Sequence, residues 1–158
     1  MNESPDPRNG KGSGNANRRR SNARRLAMQA LYQHQISDDH WKLLRAQFHE
    51  NPEFGRVDPE YFDELLEHCV EREDEFFAVL APNFDRPMEQ IDPVERAILL
   101  IGCYELTERP DIPYRVVINE GVELAKRFGA AEGHRYVNAI LDRTASELRK
   151  VEMSARRR

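Results

Sequence analysis

Asp111-Ile-Pro-Tyr-Arg-Val-Val-Ile-Asn-Glu-Gly-Val-Glu-Leu-Ala-Lys-Arg-Phe-Gly129 decides the fold class, and His134-Arg-Tyr-Val-Asn-Ala-Ile-Leu-Asp142 follows almost at once. Pro113 fits a first helical residue, because its ring already holds a helical φ. Val117, Ile118, Val122, Leu124, Ala125 and Phe128 then form an apolar stripe at helical spacing. Gly129 ends the stripe, where a left-handed cap is expected. The second segment repeats the pattern with Val137, Ile140, Leu141, Thr144 and Leu148. The spacing predicts two helices joined by a tight turn.

The same periodicity recurs upstream. A first helix is expected from about Ser21 to Ile36, with Ala23, Leu26, Ala27, Ala30, Leu31 and His34 on one face and Arg24 off it. A short one follows around His40 to Phe48, broken by Asn51-Pro52. Asp58-Pro59 reads as an N-cap and first helical residue, opening a single long stripe from Phe62 to Leu80. Asp92-Pro93-Val94-Glu95 resembles a capping box, which predicts that Glu95 reaches back to the helix start. The helix beyond it is apolar almost all round, as a central helix is. No segment alternates with the period of a strand. The fold class is therefore all-α, with six or seven helices and short connections.

The 158 residues suffice for one domain with a proper core. Residues 1–17, rich in Gly, Asn, Pro and Ser, read as a disordered tail; 18–152 as the helical domain; 153–158 as a basic C-terminal tail. No apolar run approaches the ~20 residues of a membrane span, and the N-terminus has no signal-peptide core. No membrane association and a cytoplasmic location are expected. Cys69 and Cys103 sit inside helical stripes and read as buried free thiols.

The net charge of −4 hides an asymmetry: residues 1–25 carry +5 and residues 149–158 carry +4, which leaves −13 for the middle. An acidic body repels a polyanion, so nucleic-acid contacts belong at the basic ends. The run Arg18-Arg19-Arg20, continued by Arg24 and Arg25, is the sharpest such signal. Arginine's planar fork donates two hydrogen bonds to one phosphate. Charge alone admits RNA, DNA or an acidic membrane. Tyr136, beside His134 and Arg135, is either a stacking surface for an unpaired base or a core tyrosine at the stripe's edge.

Catalytic patterns are absent: there is no Gly-rich phosphate loop, Cys-x-x-Cys pair, metal-spaced histidine pair or nucleophile elbow. The acidic face of Glu60, Asp63, Glu64, Glu67, Glu71 and Asp74 reads as solvated rather than as a metal site. No enzyme activity, cofactor or metal is expected.

Four ordered blocks resemble the NusB family of bacterial transcription antitermination factors. They are the basic run with Ala27-Met-Gln-Ala-Leu-Tyr32, then Val94-Glu-Arg-Ala-Ile-Leu-Leu-Ile-Gly-Cys-Tyr-Glu-Leu106, and the two segments quoted first. The resemblance implies two small helical bundles packed together. It also implies binding of single-stranded boxA RNA in ribosomal RNA leaders, jointly with NusE, a small-subunit ribosomal protein. Such a complex joins RNA polymerase and other Nus factors and suppresses premature termination. By the same resemblance Arg18, Arg19, Arg20, Arg24, Arg135 and Tyr136 would bind RNA, and Tyr32 and Glu95 would meet NusE. The chain departs from the family pattern at Arg25, where many relatives have glutamate, at Gly133, usually polar or acidic, and at Ala139, usually glycine. A NusB-like domain also precedes ribosomal RNA methyltransferase domains. The chain ends soon after the helical region, so an adaptor is expected rather than that enzyme's RNA-targeting part.

Overall fold

A computed structural model describes residues 7–157, with side chains from 14 to 155. Eight α-helices are present among the described residues: α1 Pro7–Ser37, α2 Trp41–His49, α3 Pro59–Glu71, α4 Glu73–Leu80, α5 Pro93–Glu108, α6 Tyr114–Phe128, α7 Gly133–Leu148 and α8 Lys150–Arg157. Short 3₁₀ turns at Pro52–Arg56, Ala81–Asn83 and Met88–Gln90 fill the connections. No strand occurs among the described residues, and no helix is long and apolar enough to cross a membrane.

Two groups of helices share one core. α1, α2 and α3 pack together; α5, α6 and α7 form the second group, with α4 against α5 and α7 and α8 against α7. α5 joins the groups, because it also packs on α1 and α3. Its residues from Ala97 to Leu106 are all buried. Leu141 of α7 reaches so close to α5 that a Cβ at Gly102 would lie 2.6 Å from its Cδ2. The expected cap at Asp58 is present, with its Oδ1 accepting from the Tyr61 N–H at 3.1 Å. Cys69 and Cys103 are buried free thiols, and burial pushes Cys103 up to about 12.

The helix count exceeds the expected six or seven for two reasons. The stripe from Phe62 to Leu80 is broken at Arg72, whose backbone leaves the helical region at φ −112°, ψ 24°. The break turns α4 toward α5 and α7, while α3 keeps its face on α1 and α2. At the other end, α8 is a separate helix rather than a tail: Met153 is 5% exposed and joins the core. Arg149, counted above among the terminal charges, is also buried. Its guanidinium donates to the carbonyls of Glu105, Leu106, Arg109 and Ile112 at 2.9–3.1 Å and pairs with Glu152 at 2.6 Å. These include the Leu106 carbonyl in the last turn of α5, of the kind a helix end otherwise leaves unsatisfied.

α1 likewise begins at Pro7, inside the stretch expected to be a disordered tail; residues 1–6 and Arg158 lie outside the described residues. Gly14 to Arg18 are exposed, so helix continues there with none of them in the core. Propagation from an anchored helix adds one hydrogen bond per residue fixed and needs no new nucleus.

The anchor of α1 is a buried ion pair. Arg24 is 4% exposed, and its Nε donates to Glu105 of α5 at 2.8 Å. The Tyr61 hydroxyl of α3 donates to the same carboxylate oxygen, and Glu120 of α6 lies 3.4 Å from Arg24 Nη1. Burial pushes the Glu105 carboxyl up, while Arg24 and Tyr61 pull it back. Burial, then the Glu105 charge, holds the Tyr61 phenol far above its ordinary value, so it stays a donor. Arg24 was expected off the apolar face. It lies instead beneath α1, because a buried carboxylate on α5 requires a cation there.

Removing one partner of such a pair leaves an unpaired buried charge, at a cost of about 3–5 kcal/mol. Urea denaturation of Arg24→Ala is therefore expected to show a loss of that order. Arg18→Ala is expected to stay within about 0.5 kcal/mol of the parent, as exposed substitutions do. An Arg24→Ala midpoint equal to the parent's is the contrary result.

Candidate nucleic-acid interface

The arginine run divides according to the helix face it occupies. Arg18 is exposed; Arg19 and Arg20 are half-buried; Arg24 is in the core. Arg19 is committed to the turn before α3, donating to Gly55 O at 2.8 Å and Val57 O at 2.6 Å. The Arg20 guanidinium lies 4.9 Å from the Tyr61 ring centroid, over the same ring that Arg24 and Arg109 approach. Arg18 and Arg20 thus keep donors for an outside anion, and Arg19 and Arg24 fix the helix that carries them. Arg20, Asn17 and Asp111 line a shallow cleft toward the start of α6.

Tyr136 enters from α7 and is half-buried at the core's edge. The Arg86 guanidinium covers its ring at 4.3 Å from the centroid. Its hydroxyl is buried and has no hydrogen-bond partner of good geometry. Burial, then the Asp85 charge, holds that phenol above its ordinary value. Arg135 is 78% exposed and paired with Glu132 at 2.7 Å. No hydrogen bond or ion pair among the described residues joins Arg135 or Tyr136 to the α1 arginines.

The expected protein-contact residues differ in exposure. Tyr32 is 41% exposed on α1. One turn later, the Gln35 amide donates to Pro93 O at 2.9 Å, which ties this part of α1 to the start of α5. Glu95 is only 4% exposed. Asp92 caps α5 as expected, with Oδ1 accepting from Val94 N at 2.9 Å and Glu95 N at 3.3 Å. Glu95 does not complete the reciprocal half of a capping box. Its carboxylate accepts instead from Ala130 N at 3.0 Å and so holds the turn between α6 and α7. Burial raises its pKa, partly offset by this backbone bond.

That contact accounts for Gly133. A Cβ there would overlap the Glu95 carboxylate. The left-handed residue of the turn is Glu132, at φ 65°, and not Gly129, which is extended at φ −83°, ψ 178°. Sequence reading missed Glu105 and Glu120 as partners of Arg24. The available signal was a carboxylate in the otherwise apolar run Tyr104-Glu105-Leu106, since buried carboxylates are rarely unpaired.

Gly133→Ala is expected to displace Glu95 and to cost about 1–3 kcal/mol, the range for a buried group losing its hydrogen bond. In a Glu95→Ala background the same change meets no carboxylate and should be nearly silent. A double-mutant cycle by thermal unfolding reads the difference. Equal costs in both backgrounds would rule out the steric coupling.

Residues 21–146 match the sequence model of the NusB family. The chain is 47% identical over 140 residues to the transcription antitermination protein NusB of Cupriavidus pinatubonensis, covering 89% of this chain and 83% of that one. It is 42% identical over 156 residues to the NusB of Pseudomonas savastanoi pv. phaseolicola, covering 99% and 92%. Its fold is similar to the solved T. maritima NusB, with a TM-score of 0.71, 27% identity and coverage of 80% and 90%. With the all-helical architecture and the four sequence blocks in register, these likenesses place the chain in the NusB family of transcription antitermination proteins.

Proposed function

We propose that this protein is a non-enzymatic adaptor that binds boxA-type single-stranded RNA of ribosomal RNA leaders together with NusE, and thereby delivers antitermination to RNA polymerase and the other Nus factors. The observation that carries the RNA half is the arginine face of α1. Exposed Arg18 and half-buried Arg20 keep guanidinium donors free there, on a chain whose residues 26–148 carry −13. A polyanion repelled by the body is accepted at that face.

In this reading Arg18 and Arg20 contact phosphate directly. Arg19 and Arg24 are positioning residues: one grips the Gly55–Val57 turn, the other Glu105. Arg135 and Tyr136 contribute from α7. Arg86 must leave the Tyr136 ring for a base to stack there, and its only ion pair among the described residues is with exposed Asp85 at 2.8 Å. Exposed Tyr32 is the direct NusE contact. Glu95 acts by shaping the α6–α7 turn, because its carboxylate is already engaged with Ala130.

Fluorescence anisotropy with a labelled boxA-type RNA across a salt series tests the RNA half. Each lost phosphate contact lowers the salt slope by ~0.7 for a single strand, so Arg18→Ala with Arg20→Ala should lower it by ~1.4. Tyr136→Phe should bind nearly like the parent, and Tyr136→Ala should lose ~1–3 kcal/mol of affinity. An unchanged slope in the arginine variant would show that the run does not meet RNA. If Tyr136→Ala keeps its affinity but melts far lower, the ring's role is packing.

Calorimetric titration with NusE tests the protein half. Tyr32→Ala should weaken NusE binding and leave the melting temperature nearly unchanged, because the side chain lies on the surface. Glu95→Gln should alter both, because the carboxylate holds the turn. NusE binding equal to the parent's in both variants excludes this interface.

A further inference from the structure

A carboxylate sits inside an arginine cluster that the RNA path above does not use. The 3₁₀ turn Pro52–Arg56 presents Glu53 to α1, where Arg25 Nη1 meets its Oε2 at 2.8 Å. Arg25 stands on the ridge between two surface clefts. One, of about 550 Å³, is also lined by Arg18, Asn22 and Arg56. The other is also lined by Ser21, Asn22, Asn119 and Arg127. The hydrogen bond from Arg25, followed by the charges of Arg25, Arg56 and Arg127, holds the Glu53 carboxyl below the usual range. Arg25 holds the carboxylate directly, and the charges of Arg56 and Arg127 act on it from beyond ion-pair distance.

One anion does not balance three cations. Arg18, Arg56 and Arg127 make no ion pair with any described residue. Two further carboxylates line the second cleft, and both are engaged: Glu120 with Arg24 at 3.4 Å and Glu123 with Lys126 at 3.5 Å. Glu53 is 53% exposed, so an incoming oxyanion can reach and replace it. The planar forks that hold a carboxylate also fit a phosphate. Arg18 belongs to both this cleft and the RNA path, which makes the two continuous.

We propose that Arg25, Arg56 and Arg127 form an additional phosphate subsite for the RNA, and that the Glu53 carboxylate occupies it until an RNA phosphate displaces it. The proposal rests on the RNA reading of the arginine face and extends the path across α1 to the 3₁₀ turn and the end of α6. Glu53 acts as an internal competitor: it keeps the cluster ordered in the free protein and weakens binding of RNA.

The test uses the full chain and a fluorescein-labelled boxA-type single-stranded RNA, with anisotropy read across a potassium chloride series. The Arg56→Ala, Arg127→Ala double variant should lower the salt slope by ~1.4, two single-strand contacts' worth. Glu53→Gln should bind about two- to fivefold tighter, the range an exposed ion pair can hold back. Both should melt like the parent, because the exchanged side chains are exposed. A double variant with the parent's slope, or a Glu53→Gln variant that binds no tighter, overturns the subsite. If the Arg18→Ala, Arg20→Ala variant loses slope in the same series, the RNA reading survives that failure. A parent chain that does not bind the RNA removes both.

Discussion

The Arg24–Glu105 pair is the constraint on which the rest of the molecule depends. α5 is buried on nearly every side, yet carries a carboxylate in its interior. A buried charge is tolerated only with a partner and with its remaining lone pairs satisfied. Arg24 of α1 and Tyr61 of α3 satisfy this one. The pair adds little net stability over a well-packed apolar substitute, since desolvation offsets most of the attraction. Its consequence is register: it fixes the rotation of α1 about its axis. With Arg24 turned inward, Arg20 is held over Tyr61 and Arg18 is left outside. The orientation of the α1 arginine face is set by a core contact.

The helix ends are tied by similar long-range polar contacts. Arg149 takes the terminal carbonyls of α5, and Glu95 at the opposite end of α5 takes the amide of Ala130. Both tie α5 to the C-terminal hairpin of α6 and α7. The Glu95 contact holds the turn that precedes Tyr136, and Arg149 fixes the far end of α7. A change at Glu95 can therefore reach the start of α7, and with it Tyr136, through the turn alone.

Charge is distributed in the same economical way. Most acidic side chains of the body face solvent or form ion pairs, as Glu64 does with Arg109 at 2.9 Å. Arginines cluster where α1 meets the Pro52–Arg56 turn. Long-range attraction of a polyanion falls off within about 10 Å at 0.1 M salt, so local concentration governs binding more than net charge does. A chain of net charge −4 can for that reason present a cationic face.

Helical periodicity and cap chemistry were enough to determine the all-α class, the starts of α3 and α5, and the apolar faces that build the core, because these depend on residues within a few positions of one another. The four ordered motifs pointed to the family for the same reason: they are local strings. The break at Arg72, the core role of α8, and the burial of Arg24 and Arg149 were decided only by tertiary structure. Each depends on a partner 30 or more residues away in sequence, such as Glu105 for Arg24 or the α5 carbonyls for Arg149. Arginine reads the same in sequence whether its guanidinium faces solvent or a buried carboxylate. Which of the two it meets is fixed by how helices pack.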